Sequence, residues 1–462
     1  MKIGFSKVDI TPPLNSLMCG QLFEYRSKGV ESPLFASAMC IDDGQTPLLI
    51  VSCDVLMIMN DKCASICQKA SEVTGVPVDN IMVCTTHTHS GPYTIDVFGS
   101  SADSEYLEIL ESGIVESLQQ AFKSRKDSHL TIADGRLEGW AFNRRFLMSD
   151  ETIQTHPLKC DPEIVKAEGP DSSHLFVFAA EDVDGKPIGT AINFGCHATV
   201  MERSNELISS DWPGKMSEFV ASELGDSAVS LFLQGCCGNI CQVNSLDDSR
   251  TEVGQQWCEK MGKAIGQKAL DILKTEAVQA DGPIRIFTET IEIARRAIDL
   301  ELLDWAKKHK EITSEIPLLD NYGAVRYDEI QPPTISLNQL FKTAHWENMY
   351  ANEIKTLDKL RSEQPNMPLK LKVIAQDNWA MVALPAELFV EWGELIVQKS
   401  PFEHTCVVEL ANGWNGYIPT KEAFTRKGGY ETKEVTSTML IPEAGDIVVE
   451  AVLKMLANAK GN

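Results

Sequence analysis

Residues 46–87 read TPLLIVSCDVLMIMNDKCASICQKASEVTGVPVDNIMVCTTH. The first part, TPLLIVSCDVLMI (46–58), is a continuous apolar run of the kind that fills a strand buried on both faces. CASICQKASEVTG (63–75) then has helical composition and closes on Gly75, a C-terminal stop. NIMVCTTH (80–87) is a second buried strand. A strand, a helix and a second strand in so short a span predict a mixed α/β fold.

The same alternation continues on both sides. SEYLEILESGIVESLQQAFKSRK (104–126) has helical periodicity, with acids early and bases in its last turn, as the helix dipole favours. HLFVFAAED (174–182) and PIGTAINFGCHAT (187–199) flank the turn DVDGKP and predict a hairpin. VSLFLQGCCGNI (229–240) repeats the pattern of a strand breaking into glycine. GPIRIFTETIEIARRAI (282–298) reads as a strand. A charged helical stretch covers 337–363, and between them EIPLLDNYGAVRYDEIQPPTIS (315–336) is a Pro-containing loop suited to a lid. LKLKVIAQDNWAMVALPAEL (369–388) predicts a hairpin turning at Asp377 and Asn378 and a helix from Pro385. AGDIVVEAVLKMLANAK (444–460) predicts a closing amphipathic helix. The expectation is one catalytic domain over 1–462, with a helical or loop insertion around 297–366.

Composition limits the function classes. The chain has 462 residues, 43% hydrophobic and 23% charged, and a formal charge of −24. Such a charge opposes nucleic-acid binding and is repelled by anionic membrane surfaces. No apolar run is long enough for a stable membrane span. The amino terminus, MKIGFSKVDITPP, has no signal-like apolar segment, so the expected location is cytoplasmic, a secreted form with a trimmed signal being the other reading. Thirteen scattered cysteines without a CxxC pair suit free thiols in a reducing compartment.

Several apolar strands end in polar residues: Asp54, His87 with His89, His197, and the turn from Gly235 to Asn239. Sites in open α/β sheets gather beyond the carboxyl ends of strands, so these residues are candidates for one pocket. On an extended segment His87 and His89 would share a face, a geometry suited to a metal. A polar strand end with its histidines hydrogen-bonded to nearby carbonyls is the commoner origin of such a pair, and a lone His197 is more often structural. LQGCCGNICQ (233–242) admits a thiolate nucleophile at Cys237 or Cys241, or simply a tight turn lined by buried thiols. Arg144 and Arg145, in NRRF, suit a substrate clamp or a surface ion pair.

DITPP (9–13), THTHSGP (86–92), NRR (143–145), NFGCHAT (193–199), SSDWPG (209–214), QGCCGNI (234–240), LPAELF (384–389) and NGYIPT (415–420) occur together and in order. In this the chain resembles the neutral/alkaline non-lysosomal ceramidases, over nearly its whole length and specifically over their zinc-bearing amino-terminal domain. The resemblance implies stacked β-sheets flanked by helices, without the family's carboxyl-terminal immunoglobulin-like domain. It implies one Zn²⁺ held by His87, His197, Glu387 and Tyr417. It places His89 and Arg144 toward the substrate, Tyr430 as a further active-site tyrosine, and Gly20 where backbone meets substrate. Family members carry a GDxSP-like turn with a catalytic serine; here the turn is GNICQ, with Cys241 at the serine position and Asn239 in place of the acid. The implied activity is hydrolysis of a linear amide in a small N-acyl substrate by a metal-activated water. An esterase on the same site, a non-catalytic binding protein and a Cys241 thiol hydrolase are the alternatives.

Overall fold

A computed structural model describes residues 1–20, 25–96, 101–201, 206–225, 227–311 and 344–461. It forms four layers: helices, a nine-stranded sheet, a four-stranded sheet, and helices again. The large sheet runs Val229–Gln234, Pro187–Phe194, His174–Asp182, Lys126–Arg136, Lys2–Asp9, Phe35–Asp42, Pro47–Cys53, Ile81–Thr85, with Val278–Gln279 added beside Lys126–Arg136. The small sheet runs Arg285–Ala294, Asn366–Ala375, Trp379–Ala383, His404–Val408.

Alternation along each strand decides what it covers. Ala36, Ala38 and Cys40 face the helices Asn60–Thr74 and Ser104–Lys123, while Met39 and Ile41 face the small sheet. In the small sheet, Met381 and Ala383 face the large sheet, and Ala380 and Val382 face the helices Val390–Lys399 and Ala444–Gly461. The central strands of both sheets are therefore apolar on both faces, which is why residues 46–58 show no alternation. The helix Asn60–Thr74 ends as expected: Gly75 is left-handed at φ 76° and its amide donates to Ser71.

Within the two main sheets most strands pair antiparallel, but three pairs are parallel. These are Pro47–Cys53 with Ile81–Thr85, Pro187–Phe194 with Val229–Gln234, and Trp379–Ala383 with His404–Val408. The first two lie at opposite ends of the large sheet, which curls until they meet: the Ser52 hydroxyl donates to Phe232 O at 2.5 Å. Gln234, fully buried, joins all three. Its Nε2 donates to Thr86 O (3.3 Å) and Cys196 O (2.9 Å), and its own carbonyl accepts from Glu409 N (2.9 Å).

The hairpin at 174–194 and the one turning at Asp377 and Asn378 form as expected. The helix expected from Pro385 begins instead at Val390. The amides of Glu387 and Phe389 donate to Gly416 and Ile418, so that stretch is a short strand beside Tyr417–Ile418. Within 297–366, the helices Leu300–Lys308 and Ala344–Glu363 pack on each other, and the loop at 315–336 lies outside the described residues. Each cysteine is unpaired, and all but Cys160 are buried. Among the described residues no helix is long and apolar enough to cross a membrane.

Replacing Gln234 with leucine keeps the volume but strands two buried carbonyls. Unfolding should become easier by about 2–4 kcal/mol, read as a lower urea midpoint with an unchanged slope.

Candidate metal centre

The three parallel pairs point their carboxyl ends at one place. His87 follows Ile81–Thr85, His197 follows Pro187–Phe194, and the Gly235 to Gly238 turn follows Val229–Gln234. Glu387 follows Trp379–Ala383, and Glu409 follows His404–Val408. An isolated bridge between Thr88 and Ala198 sets the two histidine loops side by side.

His87 and His89 do not share a strand face in the manner expected of an extended segment. The strand stops at Thr85, and His87 is left-handed at φ 65°. That conformation is strained for a histidine, and it turns the ring inward, edge-on to His89 with centroids 4.9 Å apart. His87 Nδ1 lies 2.8 Å from Leu56 O, His197 Nδ1 2.8 Å from Cys237 O, and His89 Nδ1 3.2 Å from Gly20 O. A carbonyl only accepts, so each Nδ1 carries the proton and each Nε2 keeps its lone pair. Burial, with Arg144 nearby, pushes His197 well below the usual histidine range, so it is neutral.

The Nε2 atoms converge with the carboxylate of Glu387. His87 Nε2 and His197 Nε2 lie 3.4 and 3.5 Å from Glu387 Oε2, and His89 Nε2 lies 3.5 Å from His87 Nε2. The three imidazoles place one nitrogen each within 4.8 Å of one another. His197 Nε2 and Glu387 Oε2 are buried without a hydrogen-bond partner. Buried acceptors facing one another unpaired are costly unless a cation lies between them. Donors 2.0–2.1 Å from a tetrahedral zinc stand roughly 3.3 Å apart, close to these separations. The residues therefore fit zinc. His89, half-buried, is near enough to act as a donor itself, beyond the substrate-facing role expected of it.

The other Glu387 oxygen accepts from Trp414 Nε1 at 2.8 Å, and Trp414 N donates to Asn60. Tyr417 lies opposite Glu387 in parallel register, its hydroxyl 3.3 Å from Arg144 Nη2 and its ring edge-on to Tyr430 at 5.8 Å. Burial, then Glu387, push the Tyr417 phenol well above its usual value; burial also raises Tyr430.

Arg144 and Arg145 are not surface ion pairs. Both are buried around Glu431, which accepts from Arg144 Nε (2.8 Å), Arg145 Nη1 (2.7 Å) and the Thr155 hydroxyl (2.7 Å). Cys241 sits on the short strand Ile240–Cys241 beside Phe142–Asn143, with His156 Nδ1 3.9 Å from its sulfur. Burial pushes this thiol up to about 12, the reverse of an activated nucleophile. Asn239 is structural: its Oδ1 accepts from Val390 N and its Nδ2 donates to Glu391. Asp54 stays apart from the donors; it accepts from Phe35 N and lines a separate cavity of about 220 Å³ with Ser52, Thr86 and Ser210.

Sequence reasoning missed Trp414, Glu431, Glu409 and Gln234. Glu431 was within reach, adjoining Tyr430 in GGYE, and Gln234 and Glu409 are polar strand ends like those singled out. Glu409, fully buried, accepts from Leu388 N and from the Cys237 thiol, tying the Glu387 and His197 supports together.

Two glycines make room for the centre. A Cβ on Gly20 (φ 95°) would lie 2.6 Å from His89 Cβ, and one on Gly238 would lie 2.8 and 2.9 Å from the carbonyls of Glu387 and Leu388. Gly238→Ala must push the Glu387 strand away, so zinc affinity should fall about 10–100-fold, measured by competition with a chromophoric chelator.

Comparisons with known proteins identify the family to which this fold belongs. A family model described as "Neutral/alkaline non-lysosomal ceramidase, N-terminal" matches residues 1–358. Neutral ceramidase B of Dictyostelium discoideum is 24% identical over 495 residues, covering 91% of this chain and 66% of that protein. Neutral ceramidase A of the same organism is 28% identical over 232 residues, covering 47% and 31%; the Pseudomonas aeruginosa neutral ceramidase is 26% identical over 299, covering 59% and 43%. The chain thus spans only part of the length of the curated relatives it matches. The crystal structure of that Pseudomonas aeruginosa enzyme superimposes with a TM-score of 0.71 at 19% identity, over 100% of this chain and 74% of the other. With the family model matching well over half its residues, the chain belongs to the neutral/alkaline non-lysosomal ceramidase family.

Proposed function

We propose that this chain is a zinc-dependent hydrolase that cleaves the linear amide bond of an N-acyl lipid, ceramide-like in chemistry. The observation that carries the reading is the convergence of His87 Nε2, His197 Nε2 and Glu387 Oε2, two of them buried without a partner. His87, His197, Glu387 and Tyr417 would hold the metal. When bound, zinc supplies a Lewis acid that makes water a competent nucleophile near neutral pH.

The chain's own groups account for the rest. His89 presents a basic Nε2, its Nδ1 proton directed at Gly20 O, and serves to take the proton of the attacking water and return it to the leaving amine. Arg144 brings a fixed positive charge to the pocket, which favours the negative charge that grows on the acyl oxygen. The Tyr430 hydroxyl, kept protonated by burial, is a second hydrogen-bond donor beside Tyr417. Gly20 lets the substrate approach His89, and Cys241 serves as a wall of the pocket.

The purified protein should contain about one zinc per chain and release fatty acid from N-acyl amides, with rates that vary with acyl length and exceed those on matched esters. His87→Ala should lower kcat/KM about a thousandfold or more, equivalent to several kcal/mol of lost stabilisation. Cys241→Ser should retain activity. A metal-free protein that hydrolyses these amides undiminished overturns the zinc reading; abolition by Cys241→Ser with zinc still bound turns it to a thiol mechanism.

A further inference from the structure

We propose that Glu431 is a positioning residue for Tyr417, acting through Arg144; this rests on the reading of Tyr417 as a zinc donor. Glu431 is fully buried and serves two guanidinium groups and a hydroxyl at once. Such a network is expensive to desolvate, and apolar residues of equal volume fill such a space at lower cost. What it supplies is geometry.

A guanidinium is planar, so two fixed nitrogens fix its plane. Glu431 Oε1 holds Arg144 Nε at 2.8 Å, and Gly238 O holds Nη2 at 2.8 Å. The same Nη2 then lies 3.3 Å from the Tyr417 hydroxyl. The backbone of Tyr417 is already set by its pairing with Glu387, so its oxygen is fixed from both ends. Glu431 is itself pinned from the far side by Arg145 Nη1 and Thr155, and the Thr155 hydroxyl also accepts from Tyr430 N. The chain of contacts runs Thr155, Glu431, Arg144, Tyr417, and none of the first three donates to the metal. Arg144, grouped by resemblance with substrate-facing residues, thus spends its Nε and Nη2 on holding a donor.

Copper(II) is the probe, because a tyrosinate bound to it gives a visible charge-transfer band that imidazole and carboxylate donors lack. The copper-loaded protein should show the band, and Tyr417→Phe should lack it. Glu431→Gln should weaken it at unchanged copper content and lower zinc affinity about tenfold. Arg144→Lys keeps the charge facing Glu431 and loses the fork, so it gives the same result if Glu431→Gln fails to fold. A band undiminished in both variants overturns the positioning role and leaves the zinc reading standing. No band in the unmodified protein overturns Tyr417 as a donor, and the proposal with it.

Discussion

A single buried amide, that of Gln234, stands where three parts of the chain must meet. It ends one of the outermost strands of the large sheet, and the sheet has to curl fully round for that strand to approach the opposite edge. Side-chain bonds to Thr86 and Cys196 and a backbone bond from Glu409 use the groups it exposes in three directions. A fully buried amide cannot turn to water for any of these partners, so each contact fixes the others. Thr86 is next to His87, Cys196 is next to His197, and the segment after Glu409 carries Trp414 and Tyr417. The sheet closure and the donor geometry are thus one constraint seen at two scales.

Around the donors, the protein has arranged support before any ion arrives. Each histidine spends its Nδ1 proton on a backbone carbonyl, which fixes tautomer and ring plane together. Glu387 spends one oxygen on Trp414 and keeps the other for the centre. His87 is held at a positive φ although histidine disfavours it, and the backbone bond from His87 N to Val55 O helps to maintain that turn. Strain of this kind persists where the surroundings over-determine it. Facing lone pairs and an unpartnered carboxylate oxygen cost folding energy that a bound cation would relieve, so on the proposed reading metal binding would be coupled to stability.

Much of the architecture was legible in the chain. Unbroken apolar strands at 46–58 and 80–87 announced a sheet covered on both faces, and the glycine stop at Gly75 fell where the helix ends. Patterns of this sort are local, and so they survive in sequence. The start of the helix after Pro385 was not legible, because the amides of Glu387 and Phe389 are claimed by residues some thirty positions later. Asp54 looked like the other strand-end polar residues yet belongs to a different cavity, since its carboxylate is taken by Phe35. Glu431 and Trp414 act only through partners distant in sequence, and spacing carries no trace of such partners. The donor set itself came from resemblance to a family; of that set, the structure brings His87, His197 and Glu387 together.

The departure at the glycine turn bears on which chemistry survives here. Cys241 is buried with its proton held, and Asn239 is a bracket for the helix at Val390. A turn in that state offers neither an activated nucleophile nor an acid. His87, His197 and Glu387, by contrast, are brought together and supported individually. A fold that had lost its chemistry would have no reason to keep His197 Nε2 and Glu387 Oε2 buried and unpartnered, because apolar replacements would be more stable. The unrelieved cost sits at His197 Nε2 and Glu387 Oε2 and not at the thiol, and it is this cost that the metal-dependent reading proposed above would relieve.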